Sequence, residues 1–360
     1  MHQSPASNPM AAKEEIGVNF SGKGGEFFKI WIVNILFSIL TLGIYSAWAK
    51  VRTTQYFHSN TSIDGHRFRY LAKPIQILKG RILAVAVFVA FSLLSAFNPA
   101  LSLILALALF FAFPWLLIQG LRFNMRMTSY RNVRFSFHAS YGETFVTFMI
   151  LPIIGALSLY LAFPWVLKKI DQFIHSSISY GNKPLAVDTS TGTYYLAALA
   201  ALGSAVVLIF VLIFLSAIIG IGSFASSALD PSFQSAVGIT GVAVMVLAYW
   251  LGFSVAAAVY QSMIRNHLFA SMTLEDVAQF RSEVRVLPYA WIQFSNALLL
   301  IITLGLAYPI TKIRKTRYLA NATYVTPLPG ANEVVDQLED KASVFGEEAA
   351  EVFDVDFAIG

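Results

Sequence analysis

One stretch of the chain occurs twice, and this repeat is the strongest constraint on the fold. Residues 34–61 recur at 296–323 with a constant offset of 262 positions and no gap. The residues identical in the two copies include Asn34, Thr41, Leu42, Gly43, Lys50, Arg52, Thr54, Tyr56 and Thr61, which recur as Asn296, Thr303, Leu304, Gly305, Lys312, Arg314, Thr316, Tyr318 and Thr323. Each copy is an apolar run followed by a basic segment with aromatic residues. The chain is therefore predicted to consist of repeated units.

Long stretches without a charged residue indicate a membrane protein. Of the 360 residues, 57% are apolar and 12% are charged, whereas a soluble domain has about 25% charged residues. The charge-free stretches are 30–49, 82–121, 144–167, 189–229, 231–264 and 286–311. Because a spanning helix needs about 20 mainly apolar residues, they predict seven apolar segments. These segments lie near 27–45, 82–97, 100–121, 144–163, 194–222, 235–260 and 287–309.

The sequence predicts an all-α polytopic membrane protein with internal repeats and short interfacial helix and strand elements. Partial copies of the repeat recur at offsets of 117, 67, 145 and 212 residues. In each copy the apolar segment is followed by an exit element, which is a short amphipathic helix and a strand-like piece with a turn such as Asp64-Gly65. The predicted domains are a disordered lead at 1–19, a repeat-built membrane domain at 20–330 and an acidic tail at 331–360.

Two arrangements of the seven segments are compatible with the charges. If all seven span, 9 basic residues lie on one side and 16 on the other, which is the cytoplasmic side and carries the C-terminus. If only the hairpins 82–121 and 194–260 span, the segments near 27–45, 144–163 and 287–309 are re-entrant. All 25 basic residues are then cytoplasmic. Seven spans is the primary prediction, and the re-entrant arrangement is the alternative.

Several motifs resemble the YjgN family of bacterial inner-membrane proteins. They are Phe20 with Gly25-Glu26, Thr41-Leu42-Gly43-Ile44-Tyr45, Trp48-Ala49-Lys50-Val51-Arg52, Phe163-Pro164-Trp165, Leu274-Glu275-Asp276-Val277 and Lys312-Ile313-Arg314-Lys315-Thr316-Arg317-Tyr318. The likeness extends from about residue 17 to the acidic tail. That family is a domain of unknown function, so the resemblance implies a multi-pass protein of the bacterial inner membrane and supplies no catalytic residues.

The apolar segments contain amides and hydroxyls but no ionisable residue within the charge-free stretches. This absence disfavours a proton relay or an ion-coupled pump. Small polar residues more often join helices through hydrogen bonds, and the alternative is a solute path. Because Asn34, Thr41, Asn296 and Thr303 are repeat partners, such a path is expected at the repeat interface.

Basic and aromatic residues at the segment ends are typical of the membrane–water boundary. They form either a simple interfacial belt or a set of contacts to lipid headgroups or a partner. The candidate contacts are Trp48, Lys50, Arg52, Tyr56, Lys312, Arg314 and Tyr318. The expected partners are the bilayer and its anionic headgroups. Nucleic acid is not expected, because the basic residues are confined to segment ends, and no oligomeric state is predicted.

The sequence contains no recognisable catalytic cluster. With no cysteine, thiolate chemistry and cysteine metal sites are excluded, and the six histidines lack the spacing of a metal site. Gly22-Lys23-Gly24-Gly25 lacks the ending of a phosphate-binding loop. Glu26 and Glu143 are interpreted as carboxylates that stabilise helix N-termini. We therefore predict a protein that is not an enzyme and that has no cofactor and no metal.

Two functions follow from this interpretation. The leading hypothesis is a transporter or channel-like protein for an uncharged or amphiphilic solute. The alternative is a non-catalytic membrane organiser that binds lipid headgroups or a partner through its basic, aromatic exit elements. The tail, with nine acidic residues against Lys341, is interpreted as solvated, although it could instead fold back onto the basic face.

Overall fold

Strands from the whole chain form one antiparallel sheet in the computed structural model, which describes residues 15–97, 99–226 and 231–331. The strands are β1 (Ile16–Gly17), β2 (Asn19–Phe20), β3 (Thr61–Ile63), β4 (His66–Tyr70), β5 (Thr128–Tyr130), β6 (Val133–Phe137), β7 (Ile178–Tyr180), β8 (Lys183–Val187), β9 (Met272–Leu274), β10 (Ala278–Ser282) and β11 (Thr323–Pro327). Their order in the sheet is β1-β11-β10-β9-β8-β7-β6-β5-β4-β3-β2.

The sheet closes into a barrel because its two ends are neighbours in the chain. β1 and β2 are separated only by Val18. β1 pairs with β11 and β2 pairs with β3, so residues 16–20 connect the last strand to the first β-hairpin. The N–H of Val18 itself donates to the carbonyl of Thr323 at 2.9 Å. We call residues 16–20 the closing strap.

Helical hairpins separate the β-hairpins. The helices are α1 (Gly24–Leu40), α2 (Ser46–Ser59), α3 (Pro74–Phe97), α4 (Pro99–Arg126), α5 (Tyr141–Phe145), α6 (Leu151–Leu157), α7 (Phe163–Ser176), α8 (Thr191–Ser226), α9 (Pro231–Ala270), α10 (Val286–Ile302) and α11 (Tyr308–Asn321). A π-helical turn, Val146–Ile150, joins α5 to α6. Each helix contacts the next along the chain, and α11 packs against α1.

The chain is therefore a ring of five units, each with a helical hairpin and strands of the barrel. Unit 1 is α1, α2, β3 and β4, unit 2 is α3 to β6, unit 3 is α5 to β8, unit 4 is α8 to β10, and unit 5 is α10, α11 and β11. In unit 5 the closing strap takes the place of a second strand. The prediction of internal repeats describes this architecture, but the prediction of an all-α fold is wrong.

Four helices of the described residues are long and apolar enough to cross a membrane, not seven. They are Pro74–Ala96, Leu101–Arg126, Thr191–Ile218 and Gly238–Ala270, from units 2 and 4. The hairpins of units 1, 3 and 5 have shorter helices, and their chain reverses at 41–45, 158–162 and 303–307. This arrangement agrees with the re-entrant alternative. Because the strands of every unit meet in one barrel, each helical hairpin begins and ends at the barrel.

The turns of the short hairpins explain why these apolar segments reverse. In unit 1 the chain turns at Leu42 and Gly43, with φ of 48° and 89°, and in unit 5 at Leu304 and Gly305, with φ of 49° and 88°. Glycine adopts such positive φ values without steric cost. Thr41-Leu42-Gly43 and its repeat are thus a turn motif, although the sequence alone reads as the continuation of an apolar span.

The barrel interior is an apolar core. Val133, Tyr180, Leu274, Val277 and Val325 are buried there, and a cavity of about 150 Å³ lies among the inward-facing side chains. The hydroxyl of Tyr180 donates to the carbonyl of Tyr130 at 2.9 Å, and the hydroxyl of Tyr130 donates to the carbonyl of Ile63 at 2.9 Å. Burial raises the pKa of Tyr180. The cavity is lined mainly by apolar side chains, with Asp64 and Arg131 as its charged residues.

The predicted domain boundaries fall partly outside the described residues. Residues 16–19 were included in the predicted lead, but they belong to the closing strap of the barrel. Residues 1–14 and 332–360, which hold the rest of the lead and nearly all of the acidic tail, lie outside the described residues. The tail predictions therefore stay predictions.

Candidate functional site

Asn34 and Asn296 join the two helices of their own hairpins. The Nδ2 of Asn34, on α1, donates to the carbonyl of Ala49 at 3.4 Å, on α2. In the same way the Nδ2 of Asn296, on α10, donates to the carbonyl of Thr311 at 3.1 Å, on α11. Both asparagines are buried. The geometry matches the hydrogen-bonding role that small polar residues commonly have between apolar helices.

Thr41 and Thr303 use their hydroxyls inside the turns. Thr41 Oγ1 donates to the carbonyl of Phe37 at 2.6 Å and accepts from the N–H of Tyr45 at 2.9 Å. Thr303 makes the same two bonds with Leu299 and Ala307, at 2.7 and 3.0 Å. The carbonyls of Phe37 and Leu299 also accept from the N–H groups of Thr41 and Thr303, so the hydroxyls mainly provide the N–H groups of Tyr45 and Ala307 with an acceptor beyond the helix ends.

Tyr56 and Tyr318 fasten the beginnings of α1 and α10. The hydroxyl of Tyr56 accepts from the N–H of Lys23 at 2.8 Å and donates to the carbonyl of the same residue at 2.9 Å. Tyr318 does the same at Arg285, at 3.0 Å in each direction. Burial is the main reason that the pKa of Tyr56 is raised. In this geometry both hydroxyls make hydrogen bonds within the protein.

Trp48 and Arg52 lie on a basic groove of about 640 Å³ beside unit 1. The groove also contains Arg69 and Lys73, from β4 and the segment that follows it. Trp48 stacks on the ring of Tyr45, with 6.1 Å between centroids, and the Arg52 guanidinium lies 6.0 Å from the same ring. We call this site the outer groove.

A second groove, of about 670 Å³, brings together residues that the sequence assigns to different roles. Asn34, Lys50 and Lys312 all line it. The ammonium of Lys312 lies 4.9 Å from the ring centroid of Phe57 and 5.6 Å from that of Tyr308. The groove is formed where unit 5 meets unit 1, and we call it the seam groove. Arg314 does not line it, because its guanidinium donates to Asn296 Oδ1 at 2.9 Å.

The tips of the short hairpins are apolar and exposed. Leu42 is 94% exposed, Leu159 83% and Leu304 93%, one in each of units 1, 3 and 5. Such large exposed apolar side chains on hairpin tips require an apolar surrounding, since burying a leucine side chain is worth roughly 1.5–3 kcal/mol. The tips are therefore suited to insertion into lipid.

Sequence reasoning missed a polar cluster between units 3 and 4. The buried hydroxyl of Tyr194, on α8, donates to Asp171 Oδ2 at 2.8 Å, on α7, and the ring of His267, on α9, meets Tyr194 edge to face at 6.3 Å. Burial raises the pKa of Asp171. The only signal in the sequence was that Asp171 is an acidic residue within a basic exit element.

The described residues contain no group of three or more His, Cys, Asp or Glu side chains placed to hold a metal. The polar cluster contains one carboxylate, and the two grooves contain none. What the grooves offer is cationic and aromatic surface beside apolar tips. That chemistry suits an anionic amphiphile.

Four helices with the length and composition of spans, together with three short apolar hairpins, define a multi-pass integral membrane protein. The chain belongs to a family of bacterial proteins of unknown function, DUF898, whose model matches residues 15–352. The resemblance to YjgN proteins is confirmed by curated relatives. Neither the family description nor the names of these relatives give an enzymatic activity.

Three relatives are named inner membrane protein YjgN. That of Salmonella typhimurium is 32% identical over 136 residues, and those of Escherichia coli O157:H7 and of Escherichia coli strain K12 are 38% and 36% identical over 142 residues. Each match covers 38% of this chain and 34% of the relative. The chain thus matches about a third of the length of these relatives. No solved structure matches it. The names and the apolar helices together place the protein in the bacterial inner membrane.

Proposed function

We propose that this protein is a non-catalytic scaffold that binds anionic lipid headgroups at the cytoplasmic face of the inner membrane. The observation that carries the proposal is the closed barrel, because it gathers the basic exit elements of all five units at one end of the helices. Basic residues concentrated on one side of a membrane protein usually mark its cytoplasmic side. The C-terminus follows β11 and is proposed to be cytoplasmic as well.

The short hairpins support attachment to one leaflet. The 17 residues of α1 are about 25 Å long, less than the roughly 30 Å of the hydrocarbon core. Lys50 and Lys312 lie about one helical turn from the hairpin turns. When the apolar tips enter lipid, the long side chains of these lysines extend back along the hairpins towards the headgroups. Each basic residue near an anionic leaflet contributes about 1 kcal/mol to the free energy of membrane binding.

Transport of an uncharged or amphiphilic solute is the second candidate. Its support is the seam groove, which brings the polar side chain of Asn34 next to apolar surface. Its support is weaker than that of the scaffold, because Asn34 and Asn296 bond within their own hairpins and the barrel interior is apolar. The double variant Asn34→Ala/Asn296→Ala in proteoliposomes tests it, since transport predicts loss of solute uptake.

The scaffold proposal is tested with purified protein in neutral detergent. Phosphatidylglycerol or phosphatidylcholine is added in steps, and the midpoint of thermal unfolding is measured at low and at high salt. We expect phosphatidylglycerol to raise the midpoint more than phosphatidylcholine does, and salt to reduce the difference, because the interaction is between charges near water. Equal stabilisation by the two lipids at low salt contradicts the proposal.

Two variants show whether the outer groove contributes to the response to phosphatidylglycerol. Arg52→Gln/Arg69→Gln removes two cations of that groove and is expected to lower the response to phosphatidylglycerol. Arg281→Gln is the control: this arginine also lies on the outside of the barrel, but Glu15 and Glu283 already hold its guanidinium at 2.5 Å. Its loss is expected to leave the lipid response unchanged, whatever it does to stability.

A further inference from the structure

The seam groove lies at a position that occurs once in the described ring. Short and long helical hairpins alternate from unit 1 to unit 5, so the short hairpins of units 5 and 1 are direct neighbours. There α11 packs against α1, and the rings of Trp31 and Tyr308 lie 6.1 Å apart. The seam groove opens beside this contact, with an approximate volume of 670 Å³.

The two equivalent asparagines differ in how their carbonyl oxygens are satisfied. In unit 5, Asn296 Oδ1 accepts a hydrogen bond from the Arg314 guanidinium at 2.9 Å, and the same guanidinium donates to Ser295 Oγ at 3.1 Å. In unit 1, Asn34 Oδ1 is buried and has no hydrogen-bond partner among the described residues. Asn34 is only 4% exposed, yet it lines the seam groove.

Two sequence differences between the copies account for this asymmetry. The position of Ser295 is taken in unit 1 by Val33, which has no acceptor for an arginine. The position of Ala307 is taken by Tyr45, whose ring lies 6.0 Å from the Arg52 guanidinium. Arg52, the repeat partner of Arg314, is therefore drawn to an aromatic ring and away from Asn34.

The seam groove presents an unusual combination of groups to a ligand. Lys50 and Lys312 supply two positive charges, and no carboxylate is among the described residues that line it. Asn34, which lines the groove, has a buried Oδ1 without a hydrogen-bond partner among the described residues. Trp31 and Ile39 supply apolar surface, and Ile39 lies next to the turn of unit 1. A buried acceptor without a partner is costly, so a ligand that donates a hydrogen bond is favoured there.

We propose that the seam groove binds one phosphatidylglycerol molecule from the cytoplasmic leaflet. The phosphate lies between Lys50 and Lys312, a hydroxyl of the glycerol headgroup donates to Asn34 Oδ1, and an acyl chain follows the apolar side of the groove. The inference rests on the proposed function in that the hairpin tips are inserted in the membrane. It goes further by assigning one site and one headgroup chemistry.

The experiment compares two lipids of equal charge. Phosphatidylglycerol and phosphatidylethanol both carry one negative phosphate, but only the first has hydroxyls on its headgroup. The fraction of delipidated protein that carries one lipid is measured by native mass spectrometry as each lipid is titrated. We expect wild-type protein to bind phosphatidylglycerol about fivefold more tightly than phosphatidylethanol, which corresponds to one added hydrogen bond. Equal affinity for the two lipids overturns the proposal.

The first variants separate the acceptor from the charges. Asn34→Leu is expected to abolish the preference for phosphatidylglycerol while phosphatidylethanol still binds. Lys50→Ala and Lys312→Ala are each expected to lower the affinity for both lipids about fivefold. The preference for phosphatidylglycerol over phosphatidylethanol is expected to stay the same. Lys315→Ala is the charge-matched control on the same helix, because the ammonium of Lys315 lies over the ring of Tyr289 at 5.8 Å and does not line the seam groove.

A second variant keeps the proposal testable if Asn34→Leu does not fold. Val33→Ser/Tyr45→Ala gives unit 1 the residues of unit 5, so Arg52 is expected to take the Asn34 acceptor as Arg314 takes Asn296. The preference for phosphatidylglycerol should then disappear while the thermal midpoint in detergent is kept or raised. A preference that persists in this variant contradicts the assignment of the hydroxyl to Asn34.

The remaining measurements distinguish a lipid from a free phosphate compound as the ligand. They also separate failure of the seam site from failure of the scaffold proposal. Glycerol 3-phosphate in water is expected not to displace the lipid, and displacement at comparable concentration overturns the choice of a lipid. If phosphatidylglycerol stabilises the protein but the Lys50→Ala and Lys312→Ala responses equal that of wild type, the scaffold stands and the seam site fails. If no anionic lipid stabilises the protein, both proposals fail.

Discussion

Tyr318 shows how a single side chain can fix the geometry of a short hairpin. It sits on α11, its ring stacks on Tyr289 with 5.8 Å between centroids, and its hydroxyl binds both backbone groups of Arg285, where α10 begins. Tyr56 repeats the arrangement in unit 1. The two helices are thus joined at the barrel end by a tyrosine and further along by an asparagine. What the sequence presents as interfacial aromatics are in large part internal fasteners.

Removing only the Tyr318 hydroxyl tests this role. Tyr318→Phe keeps the ring but leaves the N–H of Arg285 without its partner, so we expect a loss of about 1–2 kcal/mol in stability. The measurement is the midpoint of thermal unfolding in detergent. Tyr308→Phe is the control, because the Tyr308 hydroxyl has no hydrogen-bond partner within the described ranges. An equal shift in the two variants speaks against the fastening role.

His58 is expected to make the folding stability depend on pH. Its Nδ1 donates to the carbonyl of Thr54 at 2.9 Å, and burial lowers its pKa below the ordinary value despite this bond. A histidine whose folded pKa is lowered is protonated more readily in the unfolded chain. Stability is therefore fully present above about pH 6.5, the unfolded value, and falls as the pH decreases towards the folded pKa.

His58→Asn should flatten this dependence, since asparagine can keep the bond to Thr54 but does not titrate. The expected result is a smaller drop in the unfolding midpoint between pH 7.5 and 5.5 than in wild type. His66, which is exposed on β4, provides the control variant His66→Asn. If His58→Asn loses as much stability on acidification as wild type, His58 is not the group responsible.

Among the elements, the closing strap has the largest consequence for its size. Its strands β1 and β2 are two residues each, yet they join β11 to β3 and remove both free edges of the sheet. Proline at Val18 deletes the N–H that bonds to Thr323. Val18→Pro is expected to lower stability by about 1–3 kcal/mol more than Val18→Ala, which removes only side-chain packing. The midpoint of thermal unfolding in detergent is measured for both variants. Equal losses of stability in the two variants contradict closure of the barrel by the strap.

The strands can be predicted from the sequence, but their pairing partners cannot. The strand-like pieces after each helix were visible from alternating residues such as Phe68 and Arg69, and the turn at Asp64-Gly65 is present. Their partners were not visible, because most pairings outside the β-hairpins are between units. Ile16 pairs with Val325, and no local pattern encodes a contact over that separation. The sequence therefore predicts an all-α fold, because it shows the strand-like pieces and not the sheet that joins them.

The sequence predicts seven apolar segments because length and hydropathy are similar in spanning and re-entrant helices. The difference lies in a few residues: Thr41 and Gly43 form a turn, as do Thr303 and Gly305, and asparagines hold the returning helix. The repeat revealed these residues but not their purpose. The polar cluster of Asp171, Tyr194 and His267 spans three helices and left no pattern of spacing to detect.

For the whole molecule, the arrangement around one barrel predicts a simple labelling pattern. The chain has no cysteine, so single cysteines can be read without background. Ser59→Cys, Ser176→Cys and Ser271→Cys follow the hairpins of units 1, 3 and 4, and all are expected to resist an impermeant thiol reagent added outside. Ser226→Cys, at the far end of α8, is expected to react. Labelling of the Ser176 and Ser271 positions alone would instead require seven spans.

The closing strap also has a consequence for biosynthesis. Val325 is 309 positions after Ile16, so at 5–20 residues per second the strap waits roughly 15–60 s for its partner strand to be made. During that interval β2 and the β-hairpin of unit 1 end in an unpaired edge, which can pair with a neighbouring nascent chain. Two ribosomes on one message bring such chains close together. The ring that removes every edge from the finished protein thus makes its synthesis the period of greatest exposure to exchange of strands between copies.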